Sequence, residues 1–448
     1  MIRAGLPLAV LAVLAALAVP AILSDGGDRP DLVDGRSRSG ARGSRASGSG
    51  PPRLAIWTTP AGRTAFAGAA GVVCPPGARL VDPTERVQAV IDATPTNRVI
   101  CLRRGVYPLP SALRPKSHQQ IYGEGAILSG AKSVSHWSFD GRYWAAGGQT
   151  QSIPTPPNLR CEEDGVQCEF EDLFMDDRPL PRVPGLGDLD PGTFYFDERN
   201  DKIYVQNNPT GHKMEATATD KLIIADGAKG VTLRGLILEK CGRSAVNTGI
   251  GWIVQGVESR YCHGIGLSVF GSHNVIRNAY VHDSGQMGIF CRGTSQLFDQ
   301  VAIEGSNYVD FSFARGGAKC IRSDGVVVMN SWLHDNRGGG WHFDWDNINW
   351  RFENNLVERN QMGLMVEASF RGIARDNVFR RNGFVYPDEL AAAVFINSSS
   401  GIEITQNVFE DNQQPLGFED QRRGTSERYG PRQLRNLNIH DNRGGMGP

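Results

Sequence analysis

Residues 316–371 read GGAKCIRSDGVVVMNSWLHDNRGGGWHFDWDNINWRFENNLVERNQMGLMVEASFR. Two pieces of this stretch, WLHDN and LVERN, and two that follow it, VFRRN and VFEDN, share one pattern: an apolar residue, two polar residues and an asparagine. The closing asparagines are Asn336, Asn360, Asn382 and Asn412. Extending the same frame backward and forward adds Cys241, Cys262, Ser284, Ser306 and Asn442.

The spacing of these positions predicts the fold class. From 262 to 284 and from 284 to 306 the step is 22 residues, and other steps add insertions of about eight. Between the closing positions apolar residues alternate, as in Trp341 and Phe343, which is typical of strands. Coils of this length cannot bury an apolar face alone and must stack on their neighbours. We therefore predict an all-β fold, a right-handed parallel β-helix, with asparagines at its corners.

The N-terminal region predicts export. Residues 1–23 combine Arg3 with a long uncharged apolar run, which fits a cleaved signal peptide or an uncleaved membrane anchor. Residues 24–59 are rich in Gly, Ser and Arg and are expected to form a disordered linker. The chain is therefore predicted to be secreted or held at the cell surface.

Residues 60–448 are expected to form a single β-helix domain. Residues 82–93 (DPTERVQAVIDA) predict a short helix that caps the open N-terminal end. Residues 136–220 interrupt the repeat and contain a predicted β-hairpin, GTFYFDERNDKIYVQNNP. Regular coils are predicted over residues 230–445.

The chain has eight cysteines, an even number that permits full pairing in an exported protein. Cys161 and Cys168 bracket a charged loop and are predicted to form a disulfide. The other readily placed cysteines stack on successive coils, as Cys241 on Cys262 and Cys291 on Cys320. For these stacked pairs we favour unpaired, buried ladders over disulfides.

Charge excludes one class of partner. The net charge is −1, the pI is about 6.8, and no basic block exists outside the linker. Nucleic acid is therefore not expected to bind. The chain is expected to contact a membrane only through an uncleaved N-terminal segment, and the protein is expected to be a monomer.

Aligning the strands after each corner predicts which side chains point outward on one face. Two outward columns result. One holds Phe290, Lys319, His342, Met365 and Phe395, and the other holds Arg292, Ile321, Asp344, Glu367, Asn397 and Glu419. Equivalent positions on adjacent coils lie about 4.8 Å apart, so Lys319, His342, Asp344 and Glu367 should meet.

These four residues are the predicted catalytic site. The two carboxylates could act as an acid/base pair on a sugar, or could bind Ca²⁺ together with Asp346 and Asn397. Lys319 or His342 could instead abstract the proton beside a uronate carboxylate, with Arg292 or Arg371 neutralising that carboxylate. Arg292, Trp345, Arg371 and Asn397 are the predicted substrate-binding residues, Trp345 by stacking on a sugar ring. Asp344, Asp346 and Glu367 are the predicted metal ligands.

A second outward column is predicted to be structural. His282, His334 and His440 share a position two residues before the corner, together with Arg260, Glu304, Glu358, Arg380 and Glu410. Alternating basic and acidic side chains on successive coils neutralise each other, so we interpret this column as a charge-paired ladder rather than a site.

The repeats over residues 230–445, with the preceding LRPKSHQQIYGEGAILSGA, resemble right-handed parallel β-helix proteins of the pectate-lyase-like superfamily, especially exported bacterial relatives of alginate lyases and mannuronan epimerases. The resemblance implies a carbohydrate-active enzyme on a uronate-containing polysaccharide, most simply a lyase acting by β-elimination with lysine and arginine near Ca²⁺. It also leaves open an epimerase, a glycoside hydrolase, and a glycan-binding or adhesin-like protein without catalysis.

Overall fold

The structure of the protein is a computed structural model. It describes residues 55–58, 64–67, 71–157, 159–161, 165–384 and 391–445. The signal or anchor predicted at 1–23 and nearly all of the linker predicted at 24–59 lie outside these residues. Ala55–Thr58, at the end of the predicted linker, forms a strand that pairs antiparallel with Thr64–Ala67, and the rest of the linker stays a prediction. In the described part of the chain no helix is long and apolar enough to cross a membrane.

The N-terminal elements build the first coils and close their end. They are β1 Ala55–Thr58, β2 Thr64–Ala67, β3 Arg79–Val81, α1 Val87–Ala93, β4 Val99–Leu102, β5 Val106–Pro108 and β6 Gln120–Ser129. Helix α1 buries Val87, Val90 and Ile91 in the main core, as a cap should. The predicted start at Asp82 is wrong, since the Glu85 carboxylate accepts the Asp82 N–H at 2.9 Å and closes a turn before the helix.

An insertion of antiparallel strands follows β6. Its strands are β7 Ala131–Ser133, β8 Ser138–Phe139, β9 Trp144–Ala146, β10 Leu173–Met175, β11 Arg178–Leu180, β12 Phe194–Asp197, β13 Lys202–Val205 and β14 Met214–Thr217, with 3₁₀ turns at Val166–Cys168 and Leu186–Asp188. Strands β12 and β13 form the predicted hairpin, with Phe194 opposite Val205 and Phe196 opposite Ile203. The buried Lys240 of the coils joins the insertion through Glu215, 2.6 Å from its Nζ, and through Asp177.

The remaining strands form the stacked coils. The first are β15 Lys221–Ile224, β16 Thr232–Glu239, β17 Ser244–Asn247, β18 Ile253–Gln255, β19 Glu258–Arg260, β20 Ile265–Phe270, β21 Val275–Arg277, β22 Tyr280–His282, β23 Met287–Arg292, β24 Leu297–Asp299, β25 Ala302–Glu304, β26 Gly316–Ile321, β27 Val327–Met329 and β28 Trp332–His334. The others are β29 Gly339–Asp344, β30 Arg351–Glu353, β31 Leu356–Glu358, β32 Met362–Glu367, β33 Phe370–Arg375, β34 Val378–Arg380, β35 Val394–Asn397, β36 Ser400–Thr405, β37 Val408–Glu410, β38 Leu416–Glu419 and β41 Asn438–His440. Between the last two, β39 Thr425–Ser426 and β40 Gly430–Pro431 form a separate antiparallel pair.

The coils present three parallel faces, and the fold prediction is confirmed. The first face is a nine-stranded parallel sheet in the order β15, β17, β20, β23, β26, β29, β32, β35 and β38. The second face runs through β18, β21, β24, β27, β30, β33 and β36, and the third through β19, β22, β25, β28, β31, β34 and β37. The apolar residues that point inward from all three faces form one continuous buried core.

Asparagine ladders hold two corners of each coil. Asn336 Nδ2 donates to Asn360 Oδ1 at 2.9 Å, and the ladder continues through Asn382 to Asn412, as predicted. A second ladder, which the sequence reading missed, runs through Asn355, Asn377, Asn407 and Asn442. The predicted place of Asn442 in the first ladder is therefore wrong, because β41 pairs with β36 of the second face.

The charged column on the third face is confirmed. Arg260, His282, Glu304, His334, Glu358, Arg380 and Glu410 are consecutive register partners. His334 Nε2, for example, lies 3.2 Å from a Glu304 carboxylate oxygen. His440 does not belong to it, since it pairs with Thr405 on the second face.

Every cysteine is in a disulfide: Cys74–Cys101, Cys161–Cys168, Cys241–Cys262 and Cys291–Cys320. The predicted Cys161–Cys168 bond is observed. The ladder interpretation of the two stacked pairs is wrong, because adjacent coils bring their Cα atoms to 4.4 Å, within the range that a disulfide spans.

Candidate active site on the first face

The first face displays the outward columns that the sequence predicts. Strand pairing places Phe290, Lys319, His342, Met365 and Phe395 in one column. It places Ile321, Asp344, Glu367, Asn397 and Glu419 in the next. The four predicted catalytic residues are thus neighbours on strands β26, β29 and β32.

These side chains meet as alternating acids and bases. Lys319 Nζ lies 2.6 Å from Asp344 Oδ2, and His342 Nε2 lies 3.3 Å from Glu367 Oε2. One oxygen from each carboxylate and a ring nitrogen of His342 all lie within 4.8 Å of one another. Asp344 Oδ1 is buried and has no hydrogen-bond partner among the described residues. That oxygen is therefore an unused hydrogen-bond acceptor within the cluster.

The second oxygen of Glu367 pairs with Arg423, which comes from the segment between β38 and β39. Burial acts to raise the pKa of Glu367, but the hydrogen bond from His342 and the charges of His342, Lys319 and Arg423 outweigh it and hold that pKa below its ordinary value. The Glu367 side chain is therefore held as a carboxylate.

Apolar residues surround the charged cluster. Phe290, Ile321 and Met365 are buried next to it, and Lys319 Nζ lies 5.5 Å from the centroid of the Phe313 ring. Lys319 itself is only 6% exposed. Lys319 occupies an outward strand position, as predicted, but it is not exposed to solvent because the segment between β25 and β26 covers it. Removing Lys319 would leave the Asp344 carboxylate buried and unpaired.

Asp346 and Trp345 are engaged by a second arginine. Arg432 donates from Nε and Nη2 to the two oxygens of Asp346, both at 2.9 Å. Its guanidinium lies 4.0 Å from the Trp345 ring centroid, and that of Arg423 lies 5.7 Å away. Trp345 is therefore contacted by two arginines, and both oxygens of Asp346 are used by Arg432. Sugar stacking on Trp345 and metal ligation by Asp346 remain predictions.

The other predicted substrate-binding residues are not in the cluster. Arg292 lies in the column of Asp344, two strands before it, where burial and the charge of Arg322 lower its pKa. Asn397 is buried and bonds to Ser398 and Glu419. Arg371 is exposed at the start of β33 on the second face, so it does not contact the four residues.

The donor set does not suit Ca²⁺. This ion takes six to eight oxygen ligands. Here each carboxylate of the cluster already neutralises a cation, Asp344 with Lys319 and Glu367 with Arg423, and one of the three nearby donors is the His342 nitrogen. We derive no catalytic step through a metal ion.

The lowered pKa of Glu367 predicts an acid-dependent loss of stability. A depressed folded-state pKa stabilises the protein above the unfolded value of 4.5 and loses that contribution as pH falls below it. Between about pH 6 and about pH 3.5, the wild type should lose about 1 kcal/mol more free energy of unfolding than Glu367→Gln. Urea denaturation at both pH values measures this difference. The exposed Glu427→Gln should behave like the wild type, and equal losses in all three proteins would contradict the assignment.

Comparison with known proteins agrees with the fold. Residues 223–426 match the sequence model of the family described as right handed beta helix region. The predicted right-handed parallel β-helix is confirmed over these residues. A search of curated protein sequences finds no match to the chain.

Solved structures that resemble the chain include carbohydrate-related proteins. XylC in complex with xylose is similar with a TM-score of 0.63 and 12% identity, over 80% of this chain and 71% of that chain. A glycoside hydrolase is similar with a TM-score of 0.51 and 10% identity, over 77% and 96%. The A-module of the Azotobacter vinelandii mannuronan C-5 epimerase AlgE4 has a TM-score of 0.38 and 12% identity, over 82% and 93%. At these identities the likeness concerns the fold.

Proposed function

We propose that this β-helix cleaves a glycosidic bond in an acidic polysaccharide, with Asp344 and Glu367 as its paired carboxylates. The observation that carries the proposal is their separation, with oxygens within 4.8 Å of each other on adjacent coils. Glycosidases that retain configuration hold their two carboxyl groups about 5–5.5 Å apart, whereas inverting enzymes need room for a water between them. The separation favours a retaining arrangement in which Asp344 is the nucleophile and His342, 3.3 Å from the ionised Glu367, takes the place of the carboxylic acid as proton donor.

In the first step Asp344 Oδ1 attacks the anomeric carbon and the bond to the leaving oxygen breaks. Lys319 Nζ, 2.6 Å from Oδ2, holds the orientation of the Asp344 side chain. The leaving oxygen takes the proton of the His342–Glu367 pair. In the second step the same pair accepts a proton from water, the water oxygen bonds to the anomeric carbon, and the ester to Asp344 breaks.

The β-elimination expected from the sequence is the second candidate. It is supported by Lys319 and His342, which are register partners in one column and could abstract a proton beside a uronate carboxylate. It ranks lower because Lys319, Arg423 and Arg432 each already neutralise a protein carboxylate. Two of the structures that resemble the chain, XylC with xylose and a glycoside hydrolase, are in keeping with the first candidate. Their sequence identities show similarity of the fold alone.

Product analysis separates the two reactions. The purified protein is incubated with alginate, pectate and glucuronate-containing polymers, and products are followed by NMR and ultraviolet absorbance. Saturated products that first appear with the anomeric configuration of the substrate support retaining hydrolysis. Unsaturated products would replace it by β-elimination, and inverted products would contradict the assigned roles. Binding without any product would favour the non-catalytic glycan-binding alternative. The four disulfides support an oxidising, exported location for this activity.

A further inference from the structure

A covering segment, residues 305–315 between β25 and β26, closes the first face over Lys319. The ring centroid of its Phe313 lies 5.5 Å from Lys319 Nζ, and the guanidinium of Arg160, from the insertion, lies 4.7 Å from the same centroid. No side chain of the four-residue cluster is more than 16% exposed. A polymer therefore reaches Asp344 only when the covering segment moves.

One buried histidine joins the insertion and the covering segment to the coils. His263 lies between β19 and β20 and is 2% exposed. Its Nε2 lies 2.9 Å from the main-chain oxygen of Gln167, and its Nδ1 lies 2.9 Å from Asp172 Oδ1, both in the insertion. Its ring packs against Phe170 of the insertion and Phe311 of the covering segment. The imidazole is therefore enclosed by both.

The partners of His263 determine its protonation. A carbonyl oxygen only accepts hydrogen bonds, so the Nε2 that faces Gln167 carries a hydrogen. A carboxylate oxygen also accepts, so the Nδ1 that faces Asp172 carries one too. Only the positively charged imidazole has both. A neutral ring would turn a lone pair toward one of the two oxygens and replace a hydrogen bond with a repulsion.

The charges around His263 act in the same sense. Burial alone would lower the pKa of His263, but the charge of Asp172 and the hydrogen bonds to Asp172 and Gln167 outweigh it and raise that pKa, against the opposing charge of Arg182. Burial raises the pKa of Glu169, and the charges of Arg182 and His263 oppose that rise. A raised pKa stabilises the closed arrangement fully below the ordinary value of 6.5, and this contribution is lost as pH rises above it.

Asp172 extends the contact to the covering segment. Its Oδ2 accepts the hydroxyl hydrogen of Tyr308 at 3.0 Å. Burial and the charge of Asp172 raise the pKa of Tyr308 well above its ordinary value, and the charge of Asp283 from the coils acts in the same direction. The hydroxyl therefore keeps its hydrogen at mildly alkaline pH. The contacts from His263 through Asp172 to Tyr308 connect the coils, the insertion and the covering segment.

We propose that His263 is a pH-sensitive latch that holds the active site closed while it is protonated. The imidazolium donates to Gln167 and Asp172 and keeps the insertion and the covering segment over the first face. Loss of its proton makes one of these two contacts repulsive, so both segments move away and a polymer can reach Asp344. The inference goes beyond the proposed function, because such a latch controls access for any reaction at the cluster.

Hydrogen exchange detected by mass spectrometry tests the latch on the full chain with its disulfides intact. Labelling runs from about pH 7.5 to about pH 9, because burial raises the pKa of Glu171, in the same insertion, to about 7 and this group is then ionised throughout. Labelling times are scaled to the intrinsic exchange rate at each pH. Protection of residues 165–172 and 305–315 should fall up to about tenfold per pH unit, because opening releases one proton, and protection of strand β33 should not change.

Two variants separate the proton from the contacts. In His263→Gln the side chain has no proton to lose, so protection of residues 305–315 at pH 7.5 should fall at least about tenfold and should not depend on pH. In Asp172→Asn the amide can donate to Nδ1 of a neutral ring whose Nε2 still donates to Gln167. The covering segment should then stay closed throughout the pH range.

Two further variants complete the comparison. His273→Asn is the matched control, since His273 is exposed and has a φ of 59°, which asparagine tolerates, and it should behave like the unsubstituted protein. Tyr308→Phe should remove the pH dependence of residues 305–315 and keep that of residues 165–172, because it breaks only the contact to the covering segment.

The proposal is overturned if protection of residues 305–315 in the unsubstituted protein does not change with pH, or if strand β33 loses protection equally. It is also overturned if His263→Gln or Asp172→Asn keeps the pH dependence of the unsubstituted protein. The measurement is hydrogen exchange, so these outcomes are independent of whether the protein cleaves a polysaccharide, which the product analysis decides.

Discussion

Replacing Asp344 with asparagine is expected to reduce kcat for polysaccharide cleavage by at least about a thousandfold, because the amide cannot attack the anomeric carbon. The amide keeps the size of the side chain and its oxygen can still accept a hydrogen bond from Lys319, so the fold should be retained, with some loss of stability because the buried ammonium loses its counterion. Initial rates on the polymer that the unsubstituted protein cleaves measure the effect. Added azide should restore part of the rate on a substrate with a good leaving group and yield a glycosyl azide of inverted configuration.

Asp376→Asn is the matched control for this variant. Asp376 is exposed and has a φ of 58°, a backbone conformation that asparagine also tolerates. Its rate should equal that of the unsubstituted protein. An Asp344→Asn variant that keeps most of its activity would show that Asp344 is not the nucleophile. If azide rescued Glu367→Ala and not Asp344→Asn, Glu367 would be the nucleophile and Asp344 would serve in proton transfer.

Asn360→Ala should give the largest loss of stability, about 3 kcal/mol in the free energy of unfolding. The buried Asn360 amide donates to Leu333 O at 2.9 Å, and its oxygen accepts the Asn336 N–H at 3.1 Å. Alanine satisfies neither buried group and also breaks the ladder to Asn382. Urea denaturation measures the change.

Asn438→Ala provides the comparison, because Asn438 is exposed on strand β41 of the β-helix. Its substitution should lower the free energy of unfolding by less than about 0.5 kcal/mol. Equal effects at the two positions would mean that the ladder does not hold the coils together. If hydrogen exchange of Asn360→Ala shows lost protection in only one part of the chain, that part contains the coil that opens first.

The repeat made the fold and the register predictable. Parallel coils force residues one repeat apart onto the same column, so Lys319, His342, Asp344 and Glu367 could be brought together from spacing alone. The second asparagine ladder obeys the same rule and could have been found from the spacing of Asn355, Asn377 and Asn407.

What the repeat could not predict comes from segments outside it. Arg423 is 56 residues from Glu367 in sequence, and Arg432 is 86 from Asp346, and no periodicity relates the members of either pair. The only sequence signal for these contacts was that the chain contains arginines, which can pair with a predicted cluster of carboxylates. Lys319 was expected to be outward because its strand position is outward, but Phe313, from the segment between β25 and β26, covers it.

The disulfides share one property that bears on how the chain matures. Each joins a cysteine to the next cysteine in the sequence, across separations of 27, 7, 21 and 29 residues. A chain that enters an oxidising compartment from its N-terminus can therefore form each native bond as soon as the second cysteine arrives, with no earlier thiol left to compete. Oxidation that follows the order of synthesis gives the native pairing, so the protein has no need of an isomerase to reshuffle its bonds.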